Sequence, residues 1–270
     1  MIVLDQWRVL KLNTHSAFVN MAIDEAVLRA QIAGIAPNTL RLYRWRPSAV
    51  SIGKFQNLHE QASVEACMEH GFDVVRRITG GGAVYHDQAG EITYSVVASK
   101  KQLGSDIAAI YTKIYGGLIE ALKILGITAD FDAGDDRTCP NLTVKGKKIS
   151  GSAQCHKKGS VLQHGTLLLD ADLKRMFGVL RVPWAKTCME VVNVAEGRLT
   201  SVKGELKREV SAEEAAEALE EGFRRTIGLE LVEGELTPWE RALSERLYRD
   251  KFCTEDWNLR GKETQDTPEL

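Results

Sequence analysis

The residues best suited to chemistry form one stretch, Arg76-Arg77-Ile78-Thr79-Gly80-Gly81-Gly82-Ala83-Val84-Tyr85-His86-Asp87. Three consecutive glycines after a strand let the backbone approach a ligand closely, and their amides can turn inward as an anion-binding nest. The two arginines just upstream add charged, bidentate donors suited to a phosphate or a carboxylate. The stretch is neither a P-loop nor a dinucleotide-binding fingerprint, because the residues after the glycines differ. It predicts an anion site; the plainer alternative is a tight hairpin with two solvated arginines.

A second candidate is the lysine-rich stretch Val144-Lys145-Gly146-Lys147-Lys148-Ile149-Ser150-Gly151-Ser152-Ala153. Its Lys-Gly-Lys centre is a hairpin turn signal, in which the glycine supplies a positive φ. Lys147 and Lys148 are adjacent in a strand and therefore point to opposite faces, so one ammonium can reach inward. The small residues that follow leave room for a ligand chain. A solvated lysine run is the alternative.

A third candidate is Gln163-His164-Gly165-Thr166, within an otherwise apolar strand that ends at Asp170. A lone histidine in such a strand is more often a hydrogen-bonded core residue than a catalyst. His86 and Asp87 can likewise be a pair that fixes a loop. The sequence offers no Ser-His-Asp arrangement and no metal-ligand spacing elsewhere, so metal ligands remain unknown.

Composition limits the classes of protein to which the chain can belong. Its 270 residues are 44% hydrophobic and 27% charged, the balance of a globular protein. The formal net charge of −2 argues against a protein that grips nucleic acid. No apolar run approaches the ~20 residues that cross a bilayer, and the first residues do not resemble a secretion signal. Five widely spaced cysteines without a C-x-x-C pair indicate free thiols, so we expect a cytoplasmic protein that binds no membrane.

Hydrophobic periodicity and turn signals predict the elements that hold these stretches in place. Strands are expected at 7–12, 40–44, 49–53, 72–78, 83–85, 91–98, 142–144, 148–150 and 161–169, and helices at 17–33, 62–70, 107–125, 212–226 and 238–251. Strands dominate the middle and helices flank them without strict βαβ alternation. This order predicts an α+β fold, a mixed or antiparallel sheet flanked by helices, with a doubly wound parallel sheet as the alternative. Residues 1–260 are predicted to form a single domain, and the polar tail 261–270 to be disordered.

In their order and spacing, the motifs resemble the lipoate-protein ligases and the lipoyl or octanoyl transferases, which are relatives of the biotin-protein ligases. The resemblance covers residues 5 to 260. Beyond the three stretches above, it rests on Asn20-Met21-Ala22-Ile23-Asp24-Glu25-Ala26, Arg41-Leu42-Tyr43-Arg44-Trp45 with Pro47, Gly53-Lys54-Phe55-Gln56-Asn57, and Lys251-Phe252 with Trp257-Asn258. Each motif alone is modest, and together they are specific.

The resemblance implies a biotin/lipoate-protein-ligase catalytic domain with a tunnel for a medium-chain acyl group. The main expectation is an ATP- and Mg²⁺-dependent ligase that activates lipoate or octanoate as acyl-AMP. The acceptor is a lysine on a lipoyl domain of 2-oxoacid dehydrogenase complexes or on the glycine cleavage H protein. The implied roles are catalysis for Lys148, nucleotide binding for Arg77, Gly80, Gly81, Gly82, Ala83, His86 and Asp87, and acyl binding for Trp45, Arg77, Gly151 and His164.

Two alternatives stay open within this resemblance. One branch transfers octanoyl groups from acyl carrier protein without ATP, through a cysteine thioester, and Cys139 beside Arg137 lies near the position of that nucleophile. The unbroken glycine run and the short spacing from Cys139 to Lys148 favour the ligases. The other alternative is a catalytically silent binder of lipoyl-AMP or of lipoyl domains. Many ligases carry a C-terminal accessory domain that we do not expect here, so a separate accessory subunit is a possible partner.

Overall fold

A computed structural model of the chain describes residues 6–104, 106–134, 139–227 and 230–263. The strands are β1 (Trp7–His15), β2 (Thr39–Trp45), β3 (Ala49–Ile52), β4 (Asp73–Arg76), β5 (Val84–His86), β6 (Glu91–Ser99), β7 (Asp130–Asp132), β8 (Asn141–Val144), β9 (Lys147–Lys157), β10 (Ser160–Leu168) and β11 (Leu231–Glu233). The helices are α1 (Ala17–Ile32), α2 (Leu58–Gln61), α3 (Val64–Glu69), α4 (Lys100–Leu103), α5 (Ile107–Ile124), α6 (Leu173–Val179), α7 (Cys188–Ala195), α8 (Val202–Leu206), α9 (Ala212–Ile227), α10 (Pro238–Leu247) and α11 (Glu255–Arg260).

Within these described ranges, eight strands form one mixed sheet in the order β11-β1-β2-β6-β10-β9-β8-β7. The β11–β1 and β1–β2 pairs are parallel, and the other neighbours are antiparallel. A smaller sheet, β4-β3-β5, carries the residues on both sides of the glycine stretch. The predicted mixed sheet flanked by helices is therefore confirmed.

The helices cover the two faces of the large sheet. Helices α5 and α9 pack together on one face, where the main core includes Tyr94, Tyr115 and Phe223. Helix α1 packs on β6 and β10 from the other face and is backed by α10. Nearly all of α1 is therefore buried, including the charged side chains of Asp24, Glu25 and Arg29. No helix in the described part of the chain is long and apolar enough to cross a membrane.

Several local predictions hold. Ser16 caps α1 by accepting a hydrogen bond from the Val19 amide, and Gly34 follows the helix with φ 70°. The β8–β9 turn has positive φ at both Lys145 (51°) and Gly146 (77°), as a tight hairpin requires. The Ser211 hydroxyl accepts from the Glu214 amide at 3.0 Å.

Other element bounds were wrong where pairing or packing overrides the local pattern. Strand β1 runs to His15 because it pairs with β2 across a register shift, although its last residues are mostly polar. Strand β9 extends to Lys157 against β10, well beyond the predicted hairpin. The last predicted long helix ends at Leu247 and continues as a π-helical turn, Tyr248–Phe252. Strand β11 was missed. Most of the predicted disordered tail, 264–270, lies outside the described residues.

Candidate active site

A cavity of about 280 Å³ opens where β9, β10, the glycine stretch and α6 meet. It brings together most of the residues singled out from the sequence. The lining includes Trp45, Arg77, Gly81, Gly82, Ala83, His86, Cys139, Lys148, Gly151, Ser152, Ala153 and His164. The apolar wall comes from Met21, Val84, Leu168, Met176, Phe177 and Leu180. The cavity thus joins an apolar chamber to a cationic, amide-rich wall.

The 53–56 loop packs so closely on the glycine stretch that Gly53 has no room for a side chain. A Cβ on Gly53 would lie 2.1 Å from the carbonyl oxygen of Gly81, so the 53–56 loop rests on the glycine backbone. Gly81 itself has φ 87°, a conformation that favours glycine. Among the described residues, no hydrogen bond uses the amides of Gly80, Gly81 or Gly82 as donors. The amides of Gly81 and Gly82, which line the cavity, are therefore not used by the protein, and the anion-binding nest stays a prediction.

Arg77 holds this loop in shape. Its guanidinium is buried, and all five of its N–H groups bond within the protein: to Thr79 Oγ1, to the carbonyl and hydroxyl oxygens of Ser51, and to the carbonyls of Gly80 and Gly82, at 2.7–3.3 Å. Burial lowers the pKa of Arg77 to about 10, which leaves it charged at neutral pH. All five donors of Arg77 are thus used within the protein, and a contact to a nucleotide phosphate would require one of these bonds to be exchanged.

Arg76 also directs its hydrogen-bond donors to the protein itself. Its guanidinium donates to main-chain carbonyls only: those of Gly53, Lys54 and Gln56 in the loop, and those of residues 257–259 in α11. The Trp257 indole donates back to the Arg76 carbonyl at 2.8 Å. Arg76 therefore ties the C-terminal helix to the loop that supports Gly81, and it does not contact the cavity.

A chain of buried hydrogen bonds runs from Arg77 to His164. His164 Nε2 lies 2.8 Å from the Thr79 hydroxyl, and because Nδ1 carries the proton toward Asp24, a neutral His164 accepts from Thr79 at Nε2. His164 Nδ1 then donates to Asp24 at 2.9 Å, and Asp24 also accepts from Arg41 and from the Tyr43 hydroxyl. Burial lowers the pKa of His164, which is therefore neutral. Burial alone would raise the pKa of Asp24, but Arg41 and His164 together lower it.

A second chain runs from Arg77 in the other direction. Ser51 Oγ accepts from Arg77 at 2.7 Å and contacts His86 Nε2 at 2.7 Å. His86 Nδ1 lies 2.7 Å from a Glu91 oxygen, and the His86 ring stacks on Trp45 at 3.9 Å between centroids. Both ring nitrogens of each histidine are thus occupied by the protein. Neither His86 nor His164 has a free nitrogen with which to act as a general base on a ligand.

Lys148 reaches the cavity because β9 contains a bulge. Opposite β8, Ser150 pairs with Leu142 and Lys148 with Thr143, so Ile149 is left over. In a regular strand, Lys148 and Gly151, which are three residues apart, would point to opposite faces. Instead, the Lys148 ammonium lies over Gly151, where an added Cβ would be only 2.6 Å from Nζ. Its neighbour Lys147 donates to the Glu196 carbonyl at 2.8 Å.

Cys139 lies at the edge of the same cavity, and its side chain is exposed. Burial lowers the pKa of Lys148, and the neighbouring Cys139 partly offsets that shift. Both side chains line the same cavity. Arg137, proposed to activate the thiol, lies outside the described residues.

Two residues of the predicted nucleotide-binding set, Gly80 and Asp87, do not line the cavity. Asp87 does not line the cavity; its carboxylate accepts from the Tyr85 hydroxyl and from the amides of Ala89 and Gly90. Gly80 contributes its carbonyl to Arg77 and does not line the cavity. In the described chain no Asp or Glu lines the cavity, and no group of three metal-ligating side chains forms.

Sequence reasoning missed the roles of Asp24, Glu91 and Tyr43. Asp24 and Tyr43 entered the sequence analysis only as members of longer motifs, with no role of their own. A stronger signal was present: α1 carries apolar residues all round, so its charges had to be buried and paired.

Comparisons with known proteins agree with this geometry. The family of the lipoyl protein ligase A/B catalytic domain matches residues 16–224, and the chain belongs to it. It is 39% identical to an octanoyltransferase LipM of Kyrpidia tusciae and 35% identical to that of Brevibacillus brevis; each match covers 95% of this chain and 100% of the relative.

Solved structures point to the same family. A bipartite lipoate protein ligase of Thermoplasma acidophilum superposes with a TM-score of 0.84 at 31% identity, over 97% of this chain and 99% of that one. A lipoate-protein ligase A bound with ATP superposes with a TM-score of 0.82 at 31% identity, and the match covers 94% of this chain and 98% of that one. The chain is therefore an enzyme of the lipoate ligase and octanoyltransferase family.

Proposed function

We propose that the chain transfers an octanoyl group from a carrier-protein thioester to a lysine of a lipoyl domain, by way of a thioester on Cys139. The observation that carries this proposal is the placement of Cys139 and Lys148 at one cavity with an apolar chamber. The similarity to octanoyltransferases over nearly the full chain supports it. This corrects the ranking made from the sequence, which placed an ATP-dependent ligase first.

In the first step, the Cys139 sulfur attacks the carbonyl carbon of the donor thioester. A C–S bond to Cys139 forms, the donor C–S bond breaks, and the proton of the Cys139 thiol passes through Lys148 to the departing thiolate. A cationic neighbour favours the thiolate form of a cysteine, which is the nucleophile. The lowered pKa of Lys148 allows it to give up the proton it receives.

In the second step, the amine of the acceptor lysine attacks the same carbon. A C–N bond forms, the C–S bond to Cys139 breaks, and the proton lost from the amine returns to the thiolate through Lys148. Both steps pass through a tetrahedral oxyanion, which the unused amides of Gly81 and Gly82 are placed to stabilise. The starting thioester is already activated, so the sequence of steps consumes no ATP.

The acyl chain supplies binding energy. Burying about six methylenes in the apolar wall at ~0.8 kcal/mol each gives roughly 5 kcal/mol before ordering costs. Trp45, stacked on His86, forms part of this wall, while His164 contributes ring carbons and no free nitrogen.

A ligase is the second candidate, favoured by the likeness to an ATP-bound ligase and by amides that could equally hold phosphates. ATP and Mg²⁺ remain predictions that belong to this candidate. So do a separate accessory subunit and a choice of lipoate over octanoate as substrate. The acceptor, a lipoyl domain or the glycine cleavage H protein, is shared by both candidates.

The test is an ATP-dependence assay on the purified chain with octanoyl carrier protein and apo lipoyl domain. We expect octanoylated acceptor without ATP, and an octanoyl adduct on Cys139 in the intact mass spectrum. Cys139→Ser should abolish both, and Cys188→Ser, at a partly exposed cysteine, should change neither. Acceptor modification that requires ATP and free acid, and that persists in Cys139→Ser, would establish the ligase instead.

A further inference from the structure

A second cavity, of about 230 Å³, lies on the same face of β9 beyond the glycine stretch. Gly151 and Ala153 face the active-site cavity, and Cys155 and Lys157 continue along that face into the second one. Lys157 is six residues beyond Gly151, which places it about 20 Å from the active-site end of the strand. The glycine backbone packs on Ala153 between the two cavities.

The lining of this second cavity carries more positive than negative charge. Its two carboxylates, Glu25 and Glu263, are both paired with the buried ammonium of Lys251, at 3.0 and 2.8 Å. Glu25 also accepts from Arg29. The ammonium groups of Lys54 and Lys157 form no ion pair with any described residue.

The cationic character extends to the surrounding surface. Lys100 begins α4 beside the β9–β10 turn, where its amide bonds to the Gly159 carbonyl at 2.9 Å. Lys100 contributes to lowering the pKa of His156, after burial. Burial, and then the charges of Arg29 and Lys251, lower the pKa of Lys157, while Glu25 and Glu263 partly offset the shift. We call Lys54, Lys100 and Lys157 the basic patch.

An aromatic side chain borders the basic patch. Phe55 is 87% exposed, the most exposed large apolar side chain among the described residues, and Lys54 Nζ lies 5.7 Å from its ring centre. A free phosphate would be held by the cations alone and would leave Phe55 in water. A protein surface can cover an aromatic ring and pair the ammonium groups at the same time.

We propose that the basic patch and Phe55 form the docking surface for the acyl-donor protein, which meets it with an acidic surface. This inference rests on the proposed function for the existence of a carrier-bound donor. The far end of the basic patch, at Lys157, lies about 20 Å from the active-site end of β9, and this distance favours the donor over the acceptor. A carrier protein holds its thioester on a long flexible arm and can dock far from the cavity, whereas the stem of a lysine is only four carbons long. The acceptor lysine therefore brings its own protein up to the cavity mouth.

The experiment compares the wild-type chain with Lys54→Glu/Lys157→Glu and with Phe55→Ala. Both lysines are exposed, and neither belongs to the catalytic cavity. We expect the double variant to raise KM for octanoyl carrier protein by roughly tenfold at low salt, with KM for the lipoyl domain unchanged. The difference should shrink as salt is added. Transfer from octanoyl-pantetheine, a donor without a protein, should match wild type. The matched control, Lys123→Glu on α5, is 72% exposed and should leave all three measurements unchanged.

Three results would overturn the docking proposal: an unchanged donor KM, a raised acceptor KM instead, or an equal loss with octanoyl-pantetheine. The proposed function fails in a different way, if the wild-type chain accepts no thioester. In that case, fluorescence anisotropy of labelled carrier protein still measures docking directly, and binding that is equally tight to wild type and to the double variant refutes the surface.

Discussion

The contact between Lys148 and Gly151 yields the sharpest prediction, tested by Gly151→Ala. An alanine methyl group would lie 2.6 Å from Nζ and 2.7 Å from Cε of Lys148, whereas ordinary contacts begin near 3.4 Å. The ammonium must therefore move by about 0.8 Å or more. A misplacement of about 1 Å at a reacting group costs on the order of a hundredfold in rate, so we expect a ten- to hundredfold loss of octanoyl transfer.

The same geometry predicts little effect on folding. The clashing atoms are the far end of a flexible side chain, and Gly151 does not have the positive φ that would strain an alanine. We expect the free energy of unfolding, measured with urea, to change by less than about 1 kcal/mol. Initial rates of acceptor octanoylation are followed by mass spectrometry in parallel.

The control is Gly178→Ala on α6, where an added methyl group meets nothing within 4 Å and activity should be retained. Full activity in Gly151→Ala would show that the position of Lys148 does not matter to the reaction. A large loss of stability would show that the strand, and not the lysine, had been disturbed.

Four further predictions follow from the buried network and from Lys148. Arg77→Met leaves the Ser51 oxygens and two glycine carbonyls without their hydrogen-bond donor. The free energy of unfolding, measured with urea, should therefore fall by about 3–5 kcal/mol, and a fall of less than about 1 kcal/mol would contradict the role of Arg77 in holding the loop. Because the pKa of Asp24 is lowered in the folded protein, its contribution to stability is present above pH 3.8 and is lost as the pH falls through the folded pKa. Asp24→Asn should therefore have a lower free energy of unfolding than wild type at pH 7, and the difference between the two should narrow below pH 4. The pKa of His164 is also lowered in the folded protein, so the wild-type protein should lose stability as the pH falls below 6.5. Thermal melts at a series of pH values should show a smaller loss of stability for His164→Gln over the same range. In a plot of initial rate against pH, octanoyl transfer should rise with pH with an apparent pKa below 10.5. Lys148→Ala should abolish this rise.

Much of the fold could be predicted because local signals and packing agree. The caps at Ser16 and Gly34, the Lys-Gly turn and the placing of strands between helices each follow from local chemistry. The cavity lining was also largely anticipated, since glycines, a lysine-rich hairpin and an inward histidine are uncommon in a plain core. Strand ends were missed where pairing with a distant strand, as at His15, holds polar residues in a sheet.

The uses of individual polar groups could not be predicted in the same way. Whether an arginine offers its donors to a ligand depends on which carbonyls surround it, and those near Arg77 come from residues on two separate segments. The bulge at Ile149 depends on the register between β8 and β9, which leaves no mark in composition. The pairing of Asp24 with Arg41 and His164 joins three distant parts of the chain, and one sequence alone does not reveal it.

The clamp formed by Arg76 has a consequence for biosynthesis. The carbonyls that it joins belong to residues 53–56 and to 257–259, so segments made early and late in translation complete each other. A nascent chain that lacks the later segment leaves three of the hydrogen bonds of Arg76 unmade. Arg76, which supports the loop beneath Gly81, therefore completes its contacts only after residues 257–259 have been synthesised.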